Sequence, residues 1–135
     1  MLQIDKWLLS KYTRGGRKYP NLDCWGLVRD VYSSLGVELP EFADLCQNTM
    51  QEGAEECLGQ HVFRQVDQPT DYCLVAFFRS GKLFHVGMYY NNKLLHTTER
   101  RNCTYESLEH VMRFYSNHIS VRFYICTLSS ILGKT

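Results

Sequence analysis

The run Asp23-Cys24-Trp25-Gly26 stands at the head of a stretch in which Leu27, Val28, Val31 and Leu35 recur at helical spacing. A thiol in the first turn of a helix sits among unpaired backbone N–H groups at the positive end of the helix dipole. Both favour the thiolate. Gly26 keeps the adjoining turn uncluttered, so a substrate carbonyl has room to approach the sulfur. The bland alternative is a buried cysteine that merely begins a helix, the usual fate of a free cysteine. Two histidines weigh against it. His85 stands in Phe84-His85-Val86-Gly87-Met88-Tyr89 and His96 in Leu94-Leu95-His96-Thr97, on two strands flanking the turn Asn91-Asn92. Pairing Tyr90 with Lys93 sets His85 opposite Thr98 and His96 opposite Gly87. The two become diagonal neighbours on one face, about 7–8 Å apart at Cα. A cysteine nucleophile needs a base, and the base needs a polar group to fix its tautomer. Cys24, His85 and His96 supply these roles in chain order. The chemistry is acyl transfer: thiolate attack on an amide carbonyl, an oxyanion held by backbone N–H groups, and release by water.

A zinc site built from Cys24 and the two histidines is the competing metal reading. It lacks a fourth ligand and an i, i+4 histidine pair, so neither a metal nor an organic cofactor is expected. His61, His110 and His118 have no partner motif and read as surface residues. Arg14, Arg17 and Lys18 form a basic run before the thiol, either a solvated loop or an aid in holding a substrate carboxylate. None of the six cysteines forms a Cys-x-x-Cys pair, so a zinc ribbon or a thioredoxin-type centre has no support. Most of the cysteines other than Cys24 read as small apolar core residues.

The elements that must hold these groups follow from patterning. Residues 1–12 read as a short helix burying Ile4, Trp7 and Leu8, followed by a loop from Gly15-Gly16 through Tyr19-Pro20. The helix 23–35 is capped by Asp23 or Asn21 and stopped at Gly36. Residues 41–58 read as partly helical. Strands are expected at 62–66, 72–78, 84–90, 93–97 and 119–127, with Ser80-Gly81 as a second hairpin turn. A further helix, carrying Tyr105, Leu108, Val111, Met112 and Tyr115, is capped by Thr104. Helices first and an antiparallel sheet afterwards make an α+β fold.

A chain of 135 residues, 44% hydrophobic and 21% charged, fits one domain over 1–135. Fifteen basic against 14 acidic residues, net +1, argue against nucleic acid as a partner. No apolar run approaches the roughly 20 residues of a membrane span. Residues 1–12 do not read as a signal peptide, which places synthesis in the reducing cytoplasm.

At these residues the chain resembles the NlpC/P60 family of papain-like cysteine peptidases. The resemblance rests on Asn21-Leu-Asp-Cys-Trp-Gly-Leu-Val-Arg-Asp-Val-Tyr32, Asp71-Tyr-Cys-Leu-Val-Ala-Phe-Phe78, His85-Val-Gly-Met-Tyr89 and Leu94-Leu-His-Thr97, in the family's order. The first segment, with Tyr12 and Gly15-Gly16 before it, is most similar to short phage-encoded members, cell-wall peptidases or tail-associated proteins. The resemblance implies a papain-like fold, Cys24 as nucleophile, His85 as base and His96 as orienting residue. It also implies substrate contacts from Tyr12 and Asp23, and at Trp25, where many members carry serine. The implied substrate is the peptidoglycan stem peptide, cut between D-glutamate and the diamino acid. The implied site of action is the cell wall or a virion tail, with phage tail proteins as partners. The expected arrangement has the Cys24 sulfur facing His85 across a groove, with Tyr12 reaching it. A non-catalytic tail or assembly protein, and an acyltransferase or amidase with a non-wall substrate, are the rival readings.

Overall fold

The structure is a computed structural model that describes residues 2–39, 62–115 and 119–127. The expected partial helix at 41–58, and with it Cys46, Cys57, His61 and His118, lies outside the described residues.

The element order is α1 (Ile4–Leu8), β1 (Lys11–Tyr12), β2 (Arg17–Lys18), β3 (Asn21–Leu22), α2 (Cys24–Ser34), β4 (Phe63–Val66), β5 (Leu74–Arg79), β6 (Lys82–Tyr90), β7 (Lys93–Thr98), β8 (Asn102–Ser107), α3 (Leu108–Phe114) and β9 (Ile119–Cys126). The short helix expected within 1–12 spans Ile4–Leu8, and Tyr12 belongs instead to a small sheet of order β1-β3-β2. Its two-residue strands are too short to carry a period, so patterning does not reveal them.

The main sheet has the order β4-β9-β5-β6-β7-β8, with every neighbouring pair antiparallel. Its hairpins turn where expected. Ser80 and Gly81 take φ of 53° and 76°, Asn91 and Asn92 of 51° and 67°, the two consecutive positive values that a tight type I′ turn requires. Tyr90 pairs with Lys93 as the turn predicts.

Alternation along β5 divides the interior. Leu74, Ala76 and Phe78 join α1 and α2 in one apolar cluster. Cys73, Val75 and Phe77 join Leu94, Val111 and Tyr115 in a second, on the opposite face. The sheet is thus covered on both faces, by α1 and α2 on one and by α3 on the other. Burial on both faces explains why Leu74-Val-Ala-Phe-Phe78 is a continuous apolar run rather than an alternating one.

The helix α2 has the expected ends. Asp23 Oδ1 accepts from Gly26 N at 2.7 Å. At the other end Gly36, at φ +87°, donates to Ser33 O while Val37 N donates to Tyr32 O, closing a Schellman motif. The helix α3 is shorter than expected. Its cap is Ser107, not Thr104, and Thr104 and Tyr105 belong to β8. The apolar spacing of Tyr105, Leu108 and Val111 runs one turn past the true start, because β8 is recruited by pairing with β7.

Candidate active site

His85 and His96 meet as the hairpin register predicts. His85 Nε2 lies 2.8 Å from His96 Nδ1, and the ring centroids are 5.1 Å apart. The β6–β7 ladder runs from the Tyr90–Lys93 pair only to Met88–Leu95, so both histidines stand past its closed part. Gly87 makes their approach possible: a Cβ there would lie 3.0 Å from His96 Cβ and 2.8 Å from Leu94 Cδ1. The two imidazoles are 6% and 4% exposed. Burial, reinforced by the neighbouring His96, holds His85 well below the ordinary imidazole range. Burial also lowers His96, although Glu106 pulls the other way. Both shifts favour the neutral ring.

A residue that sequence reading misses completes this chain. Glu106 Oε2 lies 3.2 Å from His96 Nε2 and accepts from the Thr104 hydroxyl at 2.6 Å. Arg101 Nη1 reaches both of its oxygens, and His110 Nε2 lies 3.4 Å from Oε1. His110 is thus a surface residue with a partner. Burial alone would raise the Glu106 carboxyl, but hydrogen bonds from Thr104, His96 and Arg101 prevail and hold it below the usual range. No spacing rule marks Glu106. Only the β7–β8 register, His96 with Thr104 and Leu94 with Glu106, brings it to the ring.

Cys24 is the first residue of α2 and is 2% exposed. It differs from the expected arrangement in two respects. The sulfur is disulfide-bonded in this structure, whereas Cys73, Cys103 and Cys126 are outside any disulfide. Second, α2 with Cys24 packs in the cluster of Leu74, Ala76, Val86 and Met88, while His85 pairs with Phe77, a member of the other cluster. Paired residues share a face, so His85 and His96 project from the α3 side of the sheet. The His85 ring there contacts Phe77, Phe84 and Tyr115. Among the described residues no hydrogen bond joins Cys24 to either imidazole. α2 does lie against both β6 and β7, the strands that part beyond Met88–Leu95.

The other expected contact residues are also placed. Asp23 is buried and committed: besides capping α2 it forms an ion pair with Arg17 Nη1 at 2.6 Å. Of the basic run, Arg17 thus holds Asp23. Trp25 is 2% exposed and packs in the core, so its ring contributes volume rather than a surface contact. Tyr12 is half-buried, and its backbone N–H donates to Asn102 Oδ1 at 3.0 Å. Its hydroxyl is raised by burial and then by the negative charges of Asp23 and Glu99. Burial pushes the Cys73 thiol up to about 11 and the Cys103 thiol up to about 12, which makes both poor nucleophiles. Among the described residues no cluster of three or more candidate ligands could hold a metal ion.

A cysteine at a capped helix start, an antiparallel sheet and a histidine pair on adjoining strands are the parts of a papain-like α+β architecture. Residues 10–121 match the NlpC/P60 family, and the chain belongs to that family. Among solved structures it is similar to the NlpC/p60 domain of the peptidoglycan hydrolase SagA, at 16% identity and a TM-score of 0.57. That match covers 88% of this chain and 90% of that one, and at this identity it is a likeness of fold. No curated protein sequence matches.

Proposed function

We propose that the protein is a cell-wall cysteine peptidase acting in its reduced form on amide bonds of peptidoglycan stem peptides. The D-glutamate–diamino acid bond is the first candidate. The observation that carries this reading is the buried His85–His96–Glu106 chain in a member of the NlpC/P60 family whose Cys24 opens a capped helix. A dithiol would first open the Cys24 disulfide, being oxidised as the two cysteine sulfurs are reduced. The Cys24 proton passes to His85, and the thiolate adds to the amide carbonyl, forming a C–S bond. His85 returns the proton to the departing amine as the C–N bond breaks. Water, deprotonated by the same ring, then cleaves the thioester. His96 holds the base. The step requires the sulfur and the His85 imidazole to come together, and α2 lies against β6 and β7, the strands that part beyond Met88–Leu95.

A second reading, a non-catalytic tail or assembly protein, is favoured by the disulfide at Cys24 and by the placement of both histidines on the α3 face. Phage tail association, and delivery to the wall from a virion, rest on the Asp-Cys-Trp-Gly-Leu-Val motif alone. Digestion of purified muropeptides by the reduced protein, with product masses read against Cys24→Ala, tests the choice. Products that depend on Cys24 support the peptidase. Their absence, in protein shown to be reduced and folded, supports the structural reading.

A further inference from the structure

The contacts of Glu106 divide into two groups. Arg101 and His110 have side chains 45% and 57% exposed, and exposed ion pairs contribute little. His96 is 4% exposed, and a buried imidazole nitrogen left without a partner is costly. The contact that matters is therefore the inward one. Thr104, Arg101 and His110 hold the carboxylate from β8, from the turn before it and from α3 while it meets the ring.

Donor and acceptor roles follow from the carboxylate. An ionised Glu106 can only accept, so His96 Nε2 must carry hydrogen. A neutral His96 then has a bare Nδ1, which can only accept from His85 Nε2–H. His85 is left with a bare Nδ1. The same direction serves after His85 has gained a proton, since a doubly protonated ring also donates from Nε2.

We infer that Glu106 is a positioning residue: it locks His96 in the Nε2–H tautomer and thereby reserves His85 Nδ1 as the basic nitrogen. The inference rests on the proposed role of His85 as base, but it concerns a residue two hydrogen bonds further out. Without the carboxylate, His96 can carry its hydrogen on Nδ1, donate to His85 Nε2, and force the His85 hydrogen onto the nitrogen needed as base.

The test uses the reduced full chain with 15N-labelled histidine, in wild type, Glu106→Gln and Glu106→Ala. Long-range 1H–15N correlation reads the tautomers, and iodoacetamide alkylation at neutral pH reads Cys24. The expected wild type shows only Nε2–H at both rings. Each variant gains an Nδ1–H form of His96, and Cys24 alkylation slows at least about tenfold. Glu106→Gln is near-isosteric and serves if the alanine variant does not fold. Retention of pure Nε2–H with wild-type alkylation overturns the inference, and so does a tautomer change that leaves alkylation untouched. A merely structural Glu106 would lower the melting temperature and move neither readout. If the readouts move as expected while wild type cleaves no muropeptide, the proposed substrate fails and the role of Glu106 stands.

Discussion

Asp23 serves two partners with one oxygen, the Gly26 N–H and the Arg17 guanidinium, at 2% exposure. Asparagine keeps an acceptor for the cap but not the charge; alanine removes both. Asp23→Ala is expected to cost at least about 2 kcal/mol, a cap being worth about 1 and the partly buried pair supplying the rest. Asp23→Asn should cost less, and urea unfolding of both variants checks the order. At the dyad, His85→Ala is expected to abolish muropeptide turnover by the reduced protein, a loss of about 10²–10⁴ or more. His96→Ala should leave a weak remainder, because an orienting group acts one step removed from the proton. Full activity in the His85 variant would remove it from the mechanism. The histidine pair was legible because the Asn91-Asn92 turn sets its register. Glu106 was not, since a carboxylate on a separate strand reaches the ring only through pairing. Neither was the disulfide state of Cys24, because a cysteine's spacing says nothing of its oxidation.

At the scale of elements, the start of α2 is fitted closely to the small sheet before it. A Cβ on Gly26 would overlap the Gly16 carbonyl oxygen, which also accepts from Asp23 N at 3.2 Å. Neither group can shift without undoing the cap. Gly26→Ala is therefore expected to destabilise by about 3 kcal/mol or more, as overpacking against backbone does. Gly36 has open space around it and a positive φ, so Gly36→Asn should cost under about 1 kcal/mol. Melting temperatures of the two variants should differ accordingly. The helix α2, the two tight turns and the strands of the main sheet were legible because local chemistry and long-range packing agree there. At β8 they conflict: Tyr105 fits a helical stripe with Leu108 and Val111, yet pairs with Leu95 as a strand. The tertiary partner decides. The face from which His85 projects was equally hidden, since it depends on which side of the sheet receives α2.

Across the whole molecule, burial of the two neutral histidines ties stability to pH. Both rings have folded-state values below the ordinary 6.5. Above that value neither folded nor unfolded chain binds the protons, and nothing is lost. As pH falls below it the unfolded chain takes them up first, so stability drops with about 1.4 kcal/mol per pH unit for each histidine. The drop continues until the lowered folded-state values are reached. Urea midpoints at pH 7.5 and 5.5 should differ in this sense, and His85→Gln should flatten the difference. An unchanged slope in that variant would show that His85 is not the group responsible.

The place of β9 has a further consequence for how the chain can be made. Among the described residues β4 pairs with β9 alone, and β5 has β9 along one of its two edges. While the chain emerges from the ribosome, residues 62–115 can form only the meander β5 to β8, with β4 waiting and the inner edge of β5 bare. That edge belongs to the strand most apolar on both faces, so it invites pairing with another nascent chain until Ile119–Cys126 slots in. Chains stalled or cut before residue 119 are expected to aggregate, and pulse proteolysis of ribosome-bound lengths should show protection arising only once β9 has cleared the tunnel.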